Sequence, residues 1–224
     1  MYNISKDAIN FNIITLMGFL SCKLPDEVIK VLDDDINEMI DTNFKDSTDY
    51  NYRLAGVIEH EYLLEKEKSK NAIMEVIDYL TPIFWSNWGD ARASKKHHIL
   101  VNTETFKEDL WVNFQKKYEH NPSHHHSGDL SFVIWKKIPY NLEEERKASR
   151  FGNDERSRSA GVFSFEYPDS SMLGGIRQYR IPLSKDHENI LVLFPSFLLH
   201  SVYPFYSSDD YRISISGNLY ASDE

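Results

Sequence analysis

From residue 110 onward the sequence breaks into short apolar runs separated by turn residues, with no helix-length periodic segment between them. Runs at 110–114, 130–134, 161–167, 175–181, 190–194, 199–202 and 212–219 have strand length and strand composition. That texture leaves few solutions, all of them antiparallel sandwiches or barrels. The earlier residues differ. Leu24-Pro25-Asp26-Glu27 opens a helix, with proline and acids in the first turn, and Val28, Leu32, Ile36, Met39 and Ile40 recur on one face. A second helix covers 65–80, with Ile73, Val76, Ile77, Leu80 and then Phe84 in its stripe and Pro82 ending or kinking it. Residues 11–20 read as a strand or an apolar lead-in, and 54–64 fit helix or strand equally well. Helices first and strands after make the class α+β: one domain, with helical support over 1–100 and an all-β core over 101–224.

Composition narrows the function. Hydrophobic residues are 41% and aromatics 13%, which excludes a disordered chain. A net charge of −10 disfavours nucleic acid and anionic membranes as partners. The single cysteine, Cys22, excludes an intramolecular disulfide and reads as a small buried apolar residue. The most apolar early stretch, 9–20, contains Asn10 and Asn12 and is too short to span a bilayer. A soluble protein of a reducing cytoplasm is expected. Asp33-Asp34-Asp35 reads as a solvated helix face, Phe84-Trp85-Ser86-Asn87-Trp88 as core, and Lys95-Lys96-His97-His98 as a charged loop before a strand.

Chemistry concentrates where the strands begin. Asn121-Pro122-Ser123-His124-His125-His126-Ser127-Gly128-Asp129 stands directly before the apolar run from Leu130. In an extended chain His124 and His126 share a face and His125 takes the other. Two imidazoles at the mouth of a sheet suit a divalent transition metal, and a turn at Ser127-Gly128 leaves Asp129 near that mouth as an oxygen ligand. About seventy residues later an apolar strand and a proline-containing turn deliver His200, in Leu193-Phe194-Pro195-Ser196-Phe197-Leu198-Leu199-His200. Then comes Tyr211-Arg212-Ile213-Ser214-Ile215-Ser216-Gly217-Asn218, where alternation puts Arg212, Ser214 and Ser216 on one face. An arginine on an interior face needs an anionic partner, and a guanidinium beside a hydroxyl is shaped to hold a carboxylate.

The order His-x-His, distal His, Arg-x-Ser resembles the 2-oxoglutarate/Fe(II)-dependent dioxygenases, and more closely the oxygenases of bacteria and marine cyanophages near the prolyl-hydroxylase-like branch. The segments that carry the resemblance are Trp111-Val112-Asn113, 121–139, 193–204 and 212–218, roughly the second half of the chain. The resemblance implies a double-stranded β-helix (jelly-roll) with Fe(II) at one end, 2-oxoglutarate and O2 as cosubstrates, and hydroxylation of a protein side chain or small molecule with release of succinate and CO2. By position, His124 is the first iron ligand and His200 the last. The superfamily's carboxylate slot holds His126 here, so the middle ligand is His126, with Asp129 as the alternative. Arg212, assisted by Ser214, takes the far carboxylate of 2-oxoglutarate, and Asn113, Ser131, Trp135 and Asn218 are further pocket residues. The charged insertion over 141–159 is a surface loop or a lid over the barrel mouth. Two other readings remain: a non-catalytic metal- or anion-binding jelly-roll, and a cupin-like metalloenzyme without 2-oxoglutarate. Neither the prime substrate nor the oligomeric state is readable.

Overall fold

A computed structural model describes residues 5–14, 17–103, 106–148, 159–169 and 175–223. Most of the charged insertion, 149–158, lies outside the described residues. The strands are β1 (Ile9–Ile14), β2 (Met17–Lys23), β3 (Glu61–Leu63), β4 (Lys96–Ile99), β5 (Leu110–Gln115), β6 (Asn121–His124), β7 (Leu130–Lys137), β8 (Val162–Asp169), β9 (Gly175–Pro182), β10 (Ile190–Pro195), β11 (Leu199–Val202) and β12 (Arg212–Ser222). The helices are α1 (Asp26–Asp41), α2 (Glu67–Ser86) and α3 (Leu142–Ala148).

Two antiparallel sheets face each other. The larger runs β1-β2-β10-β7-β12-β5-β3, with β4 pairing the C-terminal end of β12, and the smaller runs β6-β11-β8-β9. This is the jelly-roll arrangement. The residues before 100 supply four strands of the larger sheet as well as the two long helices. Residues 54–64, ambiguous in sequence, yield only the short β3, which pairs with β5.

Strand β7 shows why the sequence takes this form. Leu130, Phe132 and Ile134 pack with Val28, Leu32, Ile73, Ile77 and Leu80 of α1 and α2 on the outer face of the larger sheet. Val133 and Trp135 face the other way, into a core shared with Phe163, Phe165, Val192 and Phe194 between the sheets. A strand covered on both faces reads as a continuous apolar run rather than an alternating one. In β12 the outer face belongs to Ile213 and Ile215, which leaves Arg212, Ser214 and Ser216 for the interior.

Three local expectations are corrected. Pro82 does not end α2, which continues to Ser86. The hydrogen bond lost at an interior proline is offset by the last turn, where Phe84 and Trp85 are buried, each worth about 1.5–3 kcal/mol. The aspartate run is not simply solvated. Buried Asp35 accepts from Ser69 Oγ at 2.5 Å and pairs with Lys66 at 2.6 Å, while Asp33 reaches the buried ammonium of Lys136 at 2.9 Å. Lys136 follows Ile134 on the helix-facing side of β7, so its charge requires that partner. Finally, β4 begins at Lys96, three residues earlier than expected, and buried His97 accepts a hydrogen bond from Trp85 Nε1 at 2.8 Å. No helix among the described residues is long and apolar enough to cross a membrane.

Candidate metal centre

Strand β6 ends at His124, and β11 lies antiparallel beside it with His200 directly opposite His124. Beyond β6 the backbone N–H of His126 donates to the carbonyl of Ser196 at 2.8 Å, which ties this residue to the end of β10. The ring centroids of His124 and His200 are 4.3 Å apart, those of His124 and His126 4.9 Å, and those of His126 and His200 5.0 Å. One ligand atom from each ring falls within 4.8 Å of the others. His125 is exposed and outside the group, as the alternation of an extended chain requires.

Backbone carbonyls orient two of the rings. Nδ1–H of His124 donates to Pro122 O at 2.7 Å, and Nδ1–H of His200 donates to Leu198 O at 2.9 Å. A carbonyl can only accept, so each imidazole has its proton on Nδ1 and a lone pair on Nε2. Burial holds all three rings below the ordinary histidine range. It pushes His200 down to about 3, with the nearby His124 imidazole adding to the effect, and it lowers His126 well below its ordinary value. Phe163, Phe165 and Phe194 pack round His200, with centroids at 5.7, 6.5 and 4.9 Å, and Trp111 lies 5.6 Å from His126. Three neutral imidazoles with converging lone pairs in an apolar setting form a donor set for a divalent transition metal.

Asp129 does not join them. Its Oδ1 accepts from Arg92 Nη1 at 2.7 Å and its Oδ2 from the backbone N–H of Ala221 at 2.8 Å. The turn between His126 and Asp129 depends on Gly128, whose φ is +99° and whose added Cβ would lie 2.6 Å from the carbonyl oxygen of Leu219. Gly128→Ala is expected to cost about 2 kcal/mol through that strain and backbone clash. A lowered urea midpoint, with weakened Fe(II) binding in a metal titration, is the measurement that checks it.

The pocket in front of the three histidines is lined by residues of both sheets, including Asn113, Gln115, Trp135, Arg212, Ser214 and Ser216. Arg212 is 2% exposed. Its Nε and Nη2 donate to Gln115 Oε1 at 3.2 and 2.7 Å, Nη2 also donates to Tyr203 O at 2.8 Å, and Nη1 donates to the hydroxyl of Tyr140 at 2.9 Å. Every one of these partners is neutral. Among the described residues no carboxylate is paired with Arg212, and one N–H of Nη1 has no acceptor. Ser214 Oγ accepts from Asn113 Nδ2 at 3.3 Å, and its own proton remains free to donate.

Ser131 and Asn218 do not line this pocket. They lie in a buried chain beside it, where Ser131 Oγ bonds Ser196 Oγ at 3.0 Å and Asn218 Oδ1 at 2.7 Å, and Asn218 Nδ2 donates to Asp109 at 3.2 Å. Sequence reasoning missed Gln115 and Tyr140. Gln115 was within reach, since it follows Asn113 by two on β5 and therefore shares its face. Tyr140 carries no such signal, because it leaves the sheet after β7 and returns to Arg212 through tertiary packing.

Residues 109–218 match the family model described as "Putative 2OG-Fe(II) oxygenase". This segment belongs to the 2OG-Fe(II) oxygenases. The matched segment contains all three histidines of the cluster and Arg212, and the family's cofactor and cosubstrate are Fe(II) and 2-oxoglutarate. Several solved structures share the fold. A prolyl-4-hydroxylase from Pseudomonas putida aligns over 92% of this chain and 94% of its own, at 13% identity and a TM-score of 0.51. A Trichoplax adhaerens prolyl hydroxylase in complex with a hypoxia inducible factor peptide fragment aligns over 92% and 83%, at 14% identity and 0.52. AviO1 from Streptomyces viridochromogenes aligns over 99% and 97%, at 11% identity and 0.53. Comparison with curated protein sequences found no match.

Proposed function

We propose that this oxygenase is a hydroxylase in which His124, His126 and His200 hold Fe(II) and Arg212, with Ser214, holds the far carboxylate of 2-oxoglutarate. The observation that carries the reading is a buried guanidinium, bonded only to neutral groups, in the same pocket as three converging imidazoles. A buried charge without a counter-charge is costly, and a dicarboxylate that reaches from the metal to Arg212 removes the cost. The far carboxylate takes the free Nη1 hydrogen and the Ser214 hydroxyl, a planar charge-assisted contact.

Iron and 2-oxoglutarate, when bound, would let O2 act as the oxidant: one oxygen atom would enter the C–H bond as C–OH and the other would end in succinate as 2-oxoglutarate loses CO2. The chain positions and protects. Pro122 O and Leu198 O fix the faces that His124 and His200 present. The phenylalanines round His200 keep water from that side. Gln115 and Tyr140 clamp the guanidinium so that the anchor does not swing. Such preorganisation is the protein's share of cofactor chemistry. The substrate is a C–H-bearing group of a protein side chain or small molecule that enters the same pocket.

The test is anaerobic visible absorption of the metal-free protein during addition of Fe(II) and then 2-oxoglutarate. A weak charge-transfer band that needs both additions is expected. Bound iron with no band would overturn the reading and favour a metal-binding module or a cupin-like enzyme.

A further inference from the structure

At and directly behind one part of the pocket wall lie acceptors without donors. Both carboxylate oxygens of Glu61, Oδ1 of Asn113 and Oδ1 of Asn121 are buried and have no hydrogen-bond partner. They lie close together. Glu61 on β3 stands directly opposite Asn113 on β5, and directly paired residues in an antiparallel ladder share a face. Glu61 Oε1 and Asn121 Oδ1 both press on Gly56, where an added Cβ would lie 3.1 and 2.0 Å from them. A bridge between Val57 and His120 holds this glycine against β6. Asn113 and Asn121 line the same pocket as the histidines, and Glu61, 1% exposed, stands with them.

The backbone of Glu61 is satisfied, since its N–H donates to Asn51 Oδ1 at 3.0 Å and its carbonyl accepts from Tyr50 N at 2.9 Å. Only the carboxylate is orphaned. The charges that act on it belong to Glu119 and Asp49, both negative, and with burial they push its carboxyl up to about 8. Without a cation beside it the carboxyl therefore keeps its own proton at neutral pH, and an entering cation would be needed to hold it ionised; the region is rich in acceptors.

We propose that Glu61, with the carboxamide oxygens of Asn113 and Asn121, forms a subsite that takes a cationic nitrogen group of the prime substrate, an alkylammonium or a guanidinium. An ammonium brings three donors and a guanidinium five, whereas a hydroxyl brings one proton and no charge. Only a cation both supplies the missing hydrogens and compensates a buried carboxylate. The inference rests on the oxygenase reading for the word substrate alone. Binding at the subsite needs no iron.

The experiment titrates the metal-free full-length chain with n-butylammonium chloride, methylguanidinium chloride and neutral butan-1-ol, read by calorimetry at matched chloride. Glu61→Gln is run beside wild type, with the Fe(II)–2-oxoglutarate band recorded for both. The expected result is saturable binding of a cation to wild type, weakened about tenfold or more in Glu61→Gln, with butan-1-ol bound no better by either. The isosteric carboxamide brings its own donors to the two asparagine oxygens, so the variant should melt no lower than wild type. Equal cation binding by the two proteins, equal binding of butan-1-ol and the cations, or no binding at all would overturn the subsite. A wild type that binds cations through Glu61 but forms no iron band would overturn the oxygenase reading and leave the subsite standing. A further arm uses short peptides with a central lysine or arginine. Tighter binding of these than of the free cations identifies a protein side chain as the source, and equal binding identifies a small amine or guanidine.

Discussion

His200→Ala is expected to lower Fe(II) affinity by more than about 100-fold, since even the loss of an outer-shell partner of a metal ligand costs 10–100-fold. The visible band with 2-oxoglutarate should vanish and succinate release should stop. His200 stands opposite His124 with three phenylalanines round it, so no neighbouring polar side chain can replace its lone pair. The truncation also leaves a cavity in the core, which should cost the apoprotein about 2 kcal/mol. A chelator-competition titration and a urea melt of the metal-free variant separate the two effects. His125→Ala is the control. Its ring is exposed and outside the cluster, so affinity should be unchanged. Retention of tight iron binding by His200→Ala would remove His200 from the ligand set.

Arg212→Ala should leave iron binding intact and weaken 2-oxoglutarate by roughly 100-fold, about 3 kcal/mol, within the 2–5 kcal/mol range for truncating one partner of a buried charge pair. The midpoint of the charge-transfer titration reads this directly. Arg212→Lys should fall between the two, because an ammonium keeps the charge but cannot reach Gln115 Oε1 and the Tyr140 hydroxyl at once. A metal-dependent activity that survives in Arg212→Ala without 2-oxoglutarate would be the cupin-like outcome. Some loss of apoprotein stability accompanies either change, since Gln115 Oε1 and Tyr203 O lose a donor inside the core.

Local rules carried much of this architecture. The histidine cluster and the interior face of β12 are periodicity statements, and a strand's period of two fixes them once the strand is placed. The sandwich was legible because its strands are short and only one short helix, α3, falls among them, inside the charged insertion read as a loop or lid. Features that depend on contacts distant in sequence were not legible. Asp129 looked like a ligand beside the histidines, but Arg92, 37 residues earlier, takes its carboxylate. Ser131 and Asn218 share the interior face, yet they bond each other at the end of the sheet. Pro82 read as a stop or a kink, and the burial of Phe84 and Trp85 explains why the helix does not stop there. In each case local chemistry was read correctly and a tertiary partner decided the outcome.

The three imidazoles do not belong to one layer. His124 and His200 sit on the smaller sheet, whereas the backbone of His126 is bolted to the end of β10 in the larger one. An ion shared by them is therefore a clasp at the open rim of the sandwich. It adds a link between two layers that the β6–β7 and β10–β11 connections and the His126–Ser196 backbone bond already join at that end. Because the ion binds only when both layers are in place, loading it should stabilise the folded rim by an amount that grows with its concentration over its dissociation constant.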